Sequence, residues 1–533
     1  MRIERAEVSA PGNRTKFLIP GLGLIWVALL GLGAAQTPQK PDLANQINQA
    51  ENLLAQGCPA DAESLVKKML AGNNRSGRLF ELLGRIDDAE QRYEEAERAY
   101  RKAIELEPGV AGHHVSLGVS LLKSGHSRSA ADEFKSALEI DSRNIAAATN
   151  LGAISLEEKD SEQAVNYYER ARTIQPGDPQ VLLGLATAYF SAGAPQKALA
   201  TAAVLSALPS ASLPVHFSLG LLLAEHGAYP QAVTEFEKEV KGGTQSQELF
   251  LNLGLAYSHL GQYEKAKESY FEAIEINPDD ATPYLRVGAD YLAQNKGPRA
   301  TVWLFRALKL SPGQPQVFYL LGTALINEKY YDTAHHYLDA YVKLVPEDPK
   351  GWALLGDAYL NDMQFEKALA SYQETSKLLP SLAGAHYLVG YTYFLLKKLP
   401  EAKEHLSKAL NLDPSYAEPH LRLGEIAYME DKDEEAMKEL IPILSANPQN
   451  TEARYIVAKI YVRQKRFDEA ASILFDIVRQ HPADPRFHYV LAELYRKTGK
   501  IKEAEDELSI YNKTEQEQEF HHRFIRHSYI YVE

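Results

Sequence analysis

Cysteine is nearly absent from this chain of 533 residues: Cys58 is the only one. A lone thiol excludes an internal disulfide and any cysteine-rich metal site. Positive charge is also scarce. Lys and Arg number 57 against 71 Asp and Glu, which leaves a formal net charge of −14. A non-specific nucleic-acid binder needs a basic face, so no nucleic acid is expected as a partner. The motifs of common catalysts are missing too. There is no His-Glu-x-x-His, no Gly-x-Ser-x-Gly and no phosphate-binding loop. Gly21-Leu22-Gly23 belongs to an apolar stretch and is not such a loop. Adjacent His335 and His336 point to different helix faces and cannot chelate as an i, i+4 pair would. His521-His522 could at most hold a metal weakly. The expectation is a non-enzymatic chain with no catalytic residue, no cofactor and no metal site.

What the sequence has is a period. Ala62, Ala96, Ala130, Ala164, Ala198, Ala232, Ala266, Ala300, Ala334, Ala368, Ala402, Ala436, Ala470 and Ala504 are each 34 residues apart. A second ladder, twelve residues earlier, reads Gly84, Gly118, Gly152, Ala186, Gly220, Gly254, Gly288, Gly322, Gly356, Gly390, Gly424, Ala458 and Ala492. A third, twelve residues later, is mostly proline, with Pro108, Pro176, Pro278, Pro312, Pro346, Pro380, Pro414, Pro448 and Pro482. No insertion or deletion disturbs the register from about residue 43 to residue 518. The small residues mark a close approach of two helices, because a bulky side chain there would push them apart. Large residues such as Leu253, Tyr257 and Tyr270 fill the space around them. His114, His216, His386, His420 and His488 recur at one bulky position of the period and read as packing residues.

The clearest copy is Phe250-Leu251-Asn252-Leu253-Gly254-Leu255-Ala256-Tyr257, followed by Ala266, Tyr270, Ala273 and Pro278. In period and pattern it resembles the tetratricopeptide repeat (TPR) family. The resemblance covers about nine-tenths of the chain. It implies an all-α, right-handed superhelical solenoid of about 14 antiparallel helix pairs, each unit burying its apolar face against its neighbours. Residues 43–76 form a degenerate capping unit, and residues 77–518 form thirteen units in one solenoid. These begin at Gly77 and then every 34 residues to Pro485. Residues 519–533 are a tail with no period. Two units depart from the template. Ala202 replaces the aromatic, while Ser210 and Thr244 replace the proline. Any flexible joint is placed at 205–215 or 240–247, with ordinary repeat drift as the other explanation.

The N-terminal 35 residues are different in kind. Arg2, Arg5, Arg14 and Lys16 precede an uncharged run from Phe17 to Ala35. Basic, apolar and small-residue segments in that order read as an export signal, with a possible cut before Gln36. An uncleaved anchor stays open, since 19 uncharged residues nearly reach spanning length. Either way the repeats are expected in the periplasm or another extracytoplasmic space. Membrane contact comes only through residues 17–35, and only if they are retained. Residues 36–42, with Pro38 and Pro41, read as a linker.

In TPR proteins the concave surface is lined mainly by the first helix of each pair. The positions three before and one after the glycine ladder are not needed for the helix crossing. They read largely apolar and aromatic from Leu183 onward. The expected partner groove is Leu183, Phe217, Leu251, Asn252, Leu255, Leu285, Arg286, Tyr319, Tyr387, Tyr391, Leu421, Tyr455 and Tyr489. The competing explanation is that these side chains pad contacts between neighbouring first helices. Asn252 and Arg286 match two residues of the carboxylate clamp of chaperone-binding TPR domains. Phe217, Leu221 and Thr282 stand where that clamp needs Lys, Asn and Lys, so no clamp is assigned. The resemblance implies a scaffold that binds protein or peptide partners in its groove. A membrane-tethered accessory of an envelope polysaccharide export or secretion assembly is the alternative.

Overall fold

The computed structural model describes residues 41–72, 75–209 and 211–528, with side chains described from 43 to 516 within them. The apolar segment 17–35, most of the linker and the last five residues lie outside the described residues. Twenty-eight α-helices, and no strand, occur among the described residues. They form fourteen antiparallel pairs, called here first and second helices. Each of the thirteen pairs after the cap starts its first helix at the first residue of its 34-residue unit, from Gly77–Ala89 to Pro485–Lys497. The helices fall into two compact units that divide between Val287 and Gly288. Within each unit, successive pairs pack on one another.

Local sequence sets the helix ends. Asn144, Asp178, Ser246, Asp348, Asn450 and Asp484 each accept a hydrogen bond from a backbone N–H of the first turn that follows, satisfying donors that a helix leaves unpaired. Pro179, Pro315, Pro349 and Pro485 begin first helices, where a missing N–H costs nothing. Between the two helices of every pair, one residue turns left-handed. It is Gly57, Gly125, Gly193, Gly227, Gly261 or Gly499 in six units, and a residue such as Lys329 or Met363 in the other eight. Around Gly261 the Gln262 N–H reaches the Tyr257 carbonyl at 2.9 Å and the Gly261 N–H reaches the Ser258 carbonyl at 2.9 Å. These bonds cap the helix and turn the chain back on itself.

The glycine ladder is a set of ring seats. A methyl added at Gly254 would lie 2.5 Å from the Tyr270 ring and 3.1 Å from the Ala266 carbonyl oxygen. The same clash, at 2.7 Å, arises at Gly118 with Phe134 and at Gly152 with Tyr168. One helix therefore gives up its side chain so that a large side chain of the other can lie flat against its backbone. Where the ring shrinks to Ala202 the glycine grows to Ala186, and both stay buried. The alanine ladder is shut from water throughout, from Ala62 at 0% exposed to Ala504 at 1%.

The structure adds detail at the chain's ends and at the expected joint. The linker is shorter than 36–42, because the first helix already begins at Pro41. The last helix runs Ile501–Ser528 and so does not stop near Gln518. The region of the expected joint at 205–215 is bridged by a buried polar network. Glu235 accepts from Ser206 at 2.5 Å, pairs with His216 at 2.7 Å and meets Lys238 at 3.1 Å. Lys238 in turn donates to the Ser206 carbonyl at 2.7 Å. In the capping pair, Ile47 supplies the buried bulk beside Ala50, Ala62 and Val66.

Two substitutions test this packing. Ala266→Leu forces extra carbons into a sealed contact and should cost about 1–3 kcal/mol; an unchanged melting temperature would refute the crossing geometry. Met363 holds φ at 62° with its side chain 65% exposed. Met363→Gly removes the left-handed penalty and loses little packing. After the larger backbone entropy of glycine is subtracted, urea denaturation should show a gain of roughly 0.5–1 kcal/mol.

Candidate interaction face

The thirteen residues expected to line a groove divide between the two compact units. Leu183, Phe217, Leu251, Asn252, Leu255, Leu285 and Arg286 belong to the unit ending at Val287. There most of the expected groove residues are enclosed. Leu285 is 1% exposed, Asn252 4%, Leu183 8%, and Leu251 and Leu255 9%. First helix 179–191 touches 145–157 and 213–225, and 213–225 touches 247–259; most of these side chains are closed off from solvent. The Asn252 amide is committed to its own helix, donating to the Glu248 carbonyl at 3.0 Å. Phe217 is half-buried with its ring 5.9 Å from Phe236. Half-buried Arg286 acts on its neighbourhood through charge: with burial as the larger cause, it lowers the pKa of His259.

The unit from Gly288 onward is different. Tyr387 and Leu421 are buried, but Tyr319, Tyr391 and Tyr455 are half-buried and Tyr489 is 52% exposed. Sequence reasoning named the rings and missed most of the cations laid over them. Tyr387 stacks on Tyr391 at 5.9 Å and meets Tyr416 at 5.3 Å. The Arg422 guanidinium lies 5.3 Å from the Tyr391 centroid and pairs with Glu425 at 2.6 Å. Lys459 is 4.4 Å from Tyr428 and 5.3 Å from Tyr455, and Arg463 is 4.1 Å from Tyr428. Arg486 lies 5.7 Å from Tyr455 and pairs with Glu452 at 2.8 Å. Ring and cation thus alternate across the first helices 383–395, 417–429, 451–463 and 485–497. Each such contact contributes about 0.5–1 kcal/mol where exposed and more where desolvated. Burial pulls the Lys459 ammonium below its ordinary pKa. Among the described residues no carboxylate lies within 4.0 Å of it. Arg422 occupies the repeat position of Asn252 and Arg286, two before the glycine, and reading that third column would have found it.

The repeated histidines do more than pack. His114, His216, His420 and His488 each turn Nδ1 to a glutamate nineteen residues on, Glu133, Glu235, Glu439 and Glu507, at 2.5–2.7 Å. Nε2 of His488 also bonds the Pro482 carbonyl at 3.0 Å. Trp352 and Tyr284 occupy the same repeat position and donate to the Pro346 and Pro278 carbonyls at 2.8 and 3.1 Å. The position calls for a donor that ties the first helix to the preceding turn. Among the described residues no cluster of three or more His, Cys, Asp or Glu could hold a metal ion.

Asp357, one residue after its ladder glycine, accepts from the Tyr372 hydroxyl at 2.6 Å. Burial nonetheless pushes its carboxyl up to about 6 from 3.8. A carboxyl raised on folding opposes folding once both states are ionised. Its cost is absent below about pH 4 and grows as pH rises towards 6. Asp357→Asn keeps an acceptor for Tyr372 and removes that cost. The variant should be more stable than the parent at pH 7 by at most about 3 kcal/mol, and the gap should close near pH 4. Urea midpoints at the two pH values check this, and a gap that ignores pH would refute it.

Comparisons with known proteins agree with the repeat geometry. Sequence models of the tetratricopeptide repeat match residues 81–145, 115–179, 155–209, 248–280, 393–460 and 461–522. A model of anaphase-promoting complex, cyclosome, subunit 3 matches residues 327–409. The protein O-mannosyl-transferase TMTC3 of Homo sapiens is 28% identical over 141 residues, which are 25% of this chain and 15% of that protein. Anaphase-promoting complex subunit 3 of Schizosaccharomyces pombe is 27% identical over 146 residues, 27% of this chain and 22% of that protein. The chain therefore spans less than a quarter of either relative's length. The crystal structure of YrrB, a TPR protein with an unusual peptide-binding site, aligns with 34% of this chain and 95% of its own at 25% identity, with a TM-score of 0.33. With the period, the helix pairs and these matches together, the chain belongs to the tetratricopeptide repeat family.

Proposed function

We propose that this TPR scaffold holds a peptide or protein segment of a partner on the first-helix face of residues 383–497, outside the cytoplasm and without catalysing a reaction. One observation carries the reading. On that face Tyr391, Tyr455, Lys459 and Arg422 are half-buried and Tyr489 is exposed, although none of them is needed for the crossing of a helix pair. Tyrosine and arginine are enriched among the few residues that carry most of the binding energy at protein interfaces. Lys459, flanked by rings and with Glu425 and Glu493 near it but no carboxylate within 4.0 Å among the described residues, adds a cation that an acceptor of the partner can meet. Repeats account for nearly all of the described chain, which supports a binding role over an enzymatic one.

The burial pattern also selects the test. Leu251 and Leu285 are too enclosed for charge substitutions there to report on binding alone. A photoreactive benzophenone side chain at Tyr489 or Lys459 should capture a discrete partner in cells. The same group at Val302, exposed on a second helix, should not. Equal capture from both places would sink the reading. Location is tested separately: export with cleavage gives a mature chain beginning at Gln36 in a soluble extracytoplasmic fraction. An intact N-terminus in the membrane fraction supports the tethered alternative.

A further inference from the structure

One member of the histidine ladder breaks the pattern. Nineteen residues after His386 stands His405, where the four other repeats place a glutamate. The two rings face each other with centroids 5.7 Å apart and planes inclined by 38°. His386 still bonds the turn, its Nε2 lying 3.0 Å from the Pro380 carbonyl oxygen. A carbonyl can only accept, so Nε2 carries the hydrogen and Nδ1 holds a lone pair in the neutral ring. In the sister repeats that same Nδ1 is turned to the residue nineteen on. Here Nδ1 of His386 and Nδ1 of His405 are both buried and have no hydrogen-bond partner. An unsatisfied buried polar atom is costly, so a pair of them calls for an occupant.

We propose that His386 and His405 form a two-imidazole site for a transition-metal cation of the class that favours nitrogen ligands, such as Zn²⁺. Among the described residues no carboxylate is bonded to either ring in place of the sister repeats' glutamate. Glu404 is already engaged by Lys408 at 2.6 Å. Tyr393, whose ring is 5.7 Å from His405, accepts from Gln373 at 3.0 Å. What remains is two imidazoles whose Nδ1 atoms the protein leaves unpaired, and the neutral imidazole is the ligand form of histidine. Imidazole nitrogens bind zinc at about 2.0–2.1 Å, and the ring separation suits a bent nitrogen–metal–nitrogen bridge. With two protein ligands the ion keeps open positions for water.

His405→Glu is the decisive variant, because it recreates the pairing that the four sister repeats fold with. The full chain, freed of metal by a chelator, is titrated with Zn²⁺ alone by calorimetry, as the parent and as His405→Glu. The parent should bind one more Zn²⁺ per chain than the variant, and only the parent should gain melting temperature from that ion. His386→Gln, a second variant that spares His405, should lose the same equivalent. Binding at other histidines contributes equally to every arm and cancels. Identical stoichiometry and melting response in the parent and both variants, including no binding in any of them, would overturn the assignment.

Discussion

The contact on which the rest depends is an aromatic or leucine side chain lying flat on a bare stretch of helix backbone. Tyr270 over Gly254 is the pattern, and Phe134 over Gly118 repeats it. Each such contact fixes the separation of the two helices in a pair. The separation fixes how far apart consecutive first helices lie, and that spacing decides which of their side chains see water. The array therefore transmits one local size rule into the character of its surface. The Ala186 and Ala202 pair shows that the rule concerns volume rather than residue identity, since a small ring position is met by a larger ladder position.

The turn inside each pair obeys a second rule, about backbone rather than volume. Fourteen units need a left-handed residue there, and eight of them use one with a side chain. Those eight accept backbone strain at an exposed turn. Lys is the commonest among them, which adds solubility at a point where no packing is gained. The array can carry this because the ladder contacts and the caps over-determine the turn from both sides.

Fold and register were legible in the sequence because both rest on residues that must be small at a fixed spacing. The first-helix face was legible only in part. Leu251 and Leu285 looked like groove residues because they were not required at the crossing. Whether such a residue is open or shut depends on the neighbouring repeat, and a single unit's pattern does not contain that distance. Tyr391 and Tyr489 occupy the same two columns and remain accessible. The cations were overlooked for a different reason. Arg422 and Arg463 lie outside the two columns taken as the groove, yet their length carries them over Tyr391 and Tyr428. Long side chains spread chemistry away from the position that bears them.

A periodic chain conveys its particular role through departures from its period. Positions that repeat faithfully, such as the alanine ladder, are spent on holding helices together and are alike in every unit. The bulky first-helix position is more informative because its requirement is looser. It needs a donor for the turn carbonyl, and Trp352, Tyr284 and His488 all meet that need. Histidine meets it with one nitrogen to spare, and the residue nineteen on determines what the spare nitrogen does. A glutamate there makes a closed pair that is complete within the protein. A second histidine leaves two lone pairs that the protein does not satisfy. The same logic applies to Lys459, a cation set between rings and not closed into an ion pair with a carboxylate. In both places the fold is finished and the chemistry is not, and unfinished chemistry on a finished scaffold is what a binding protein offers to something else.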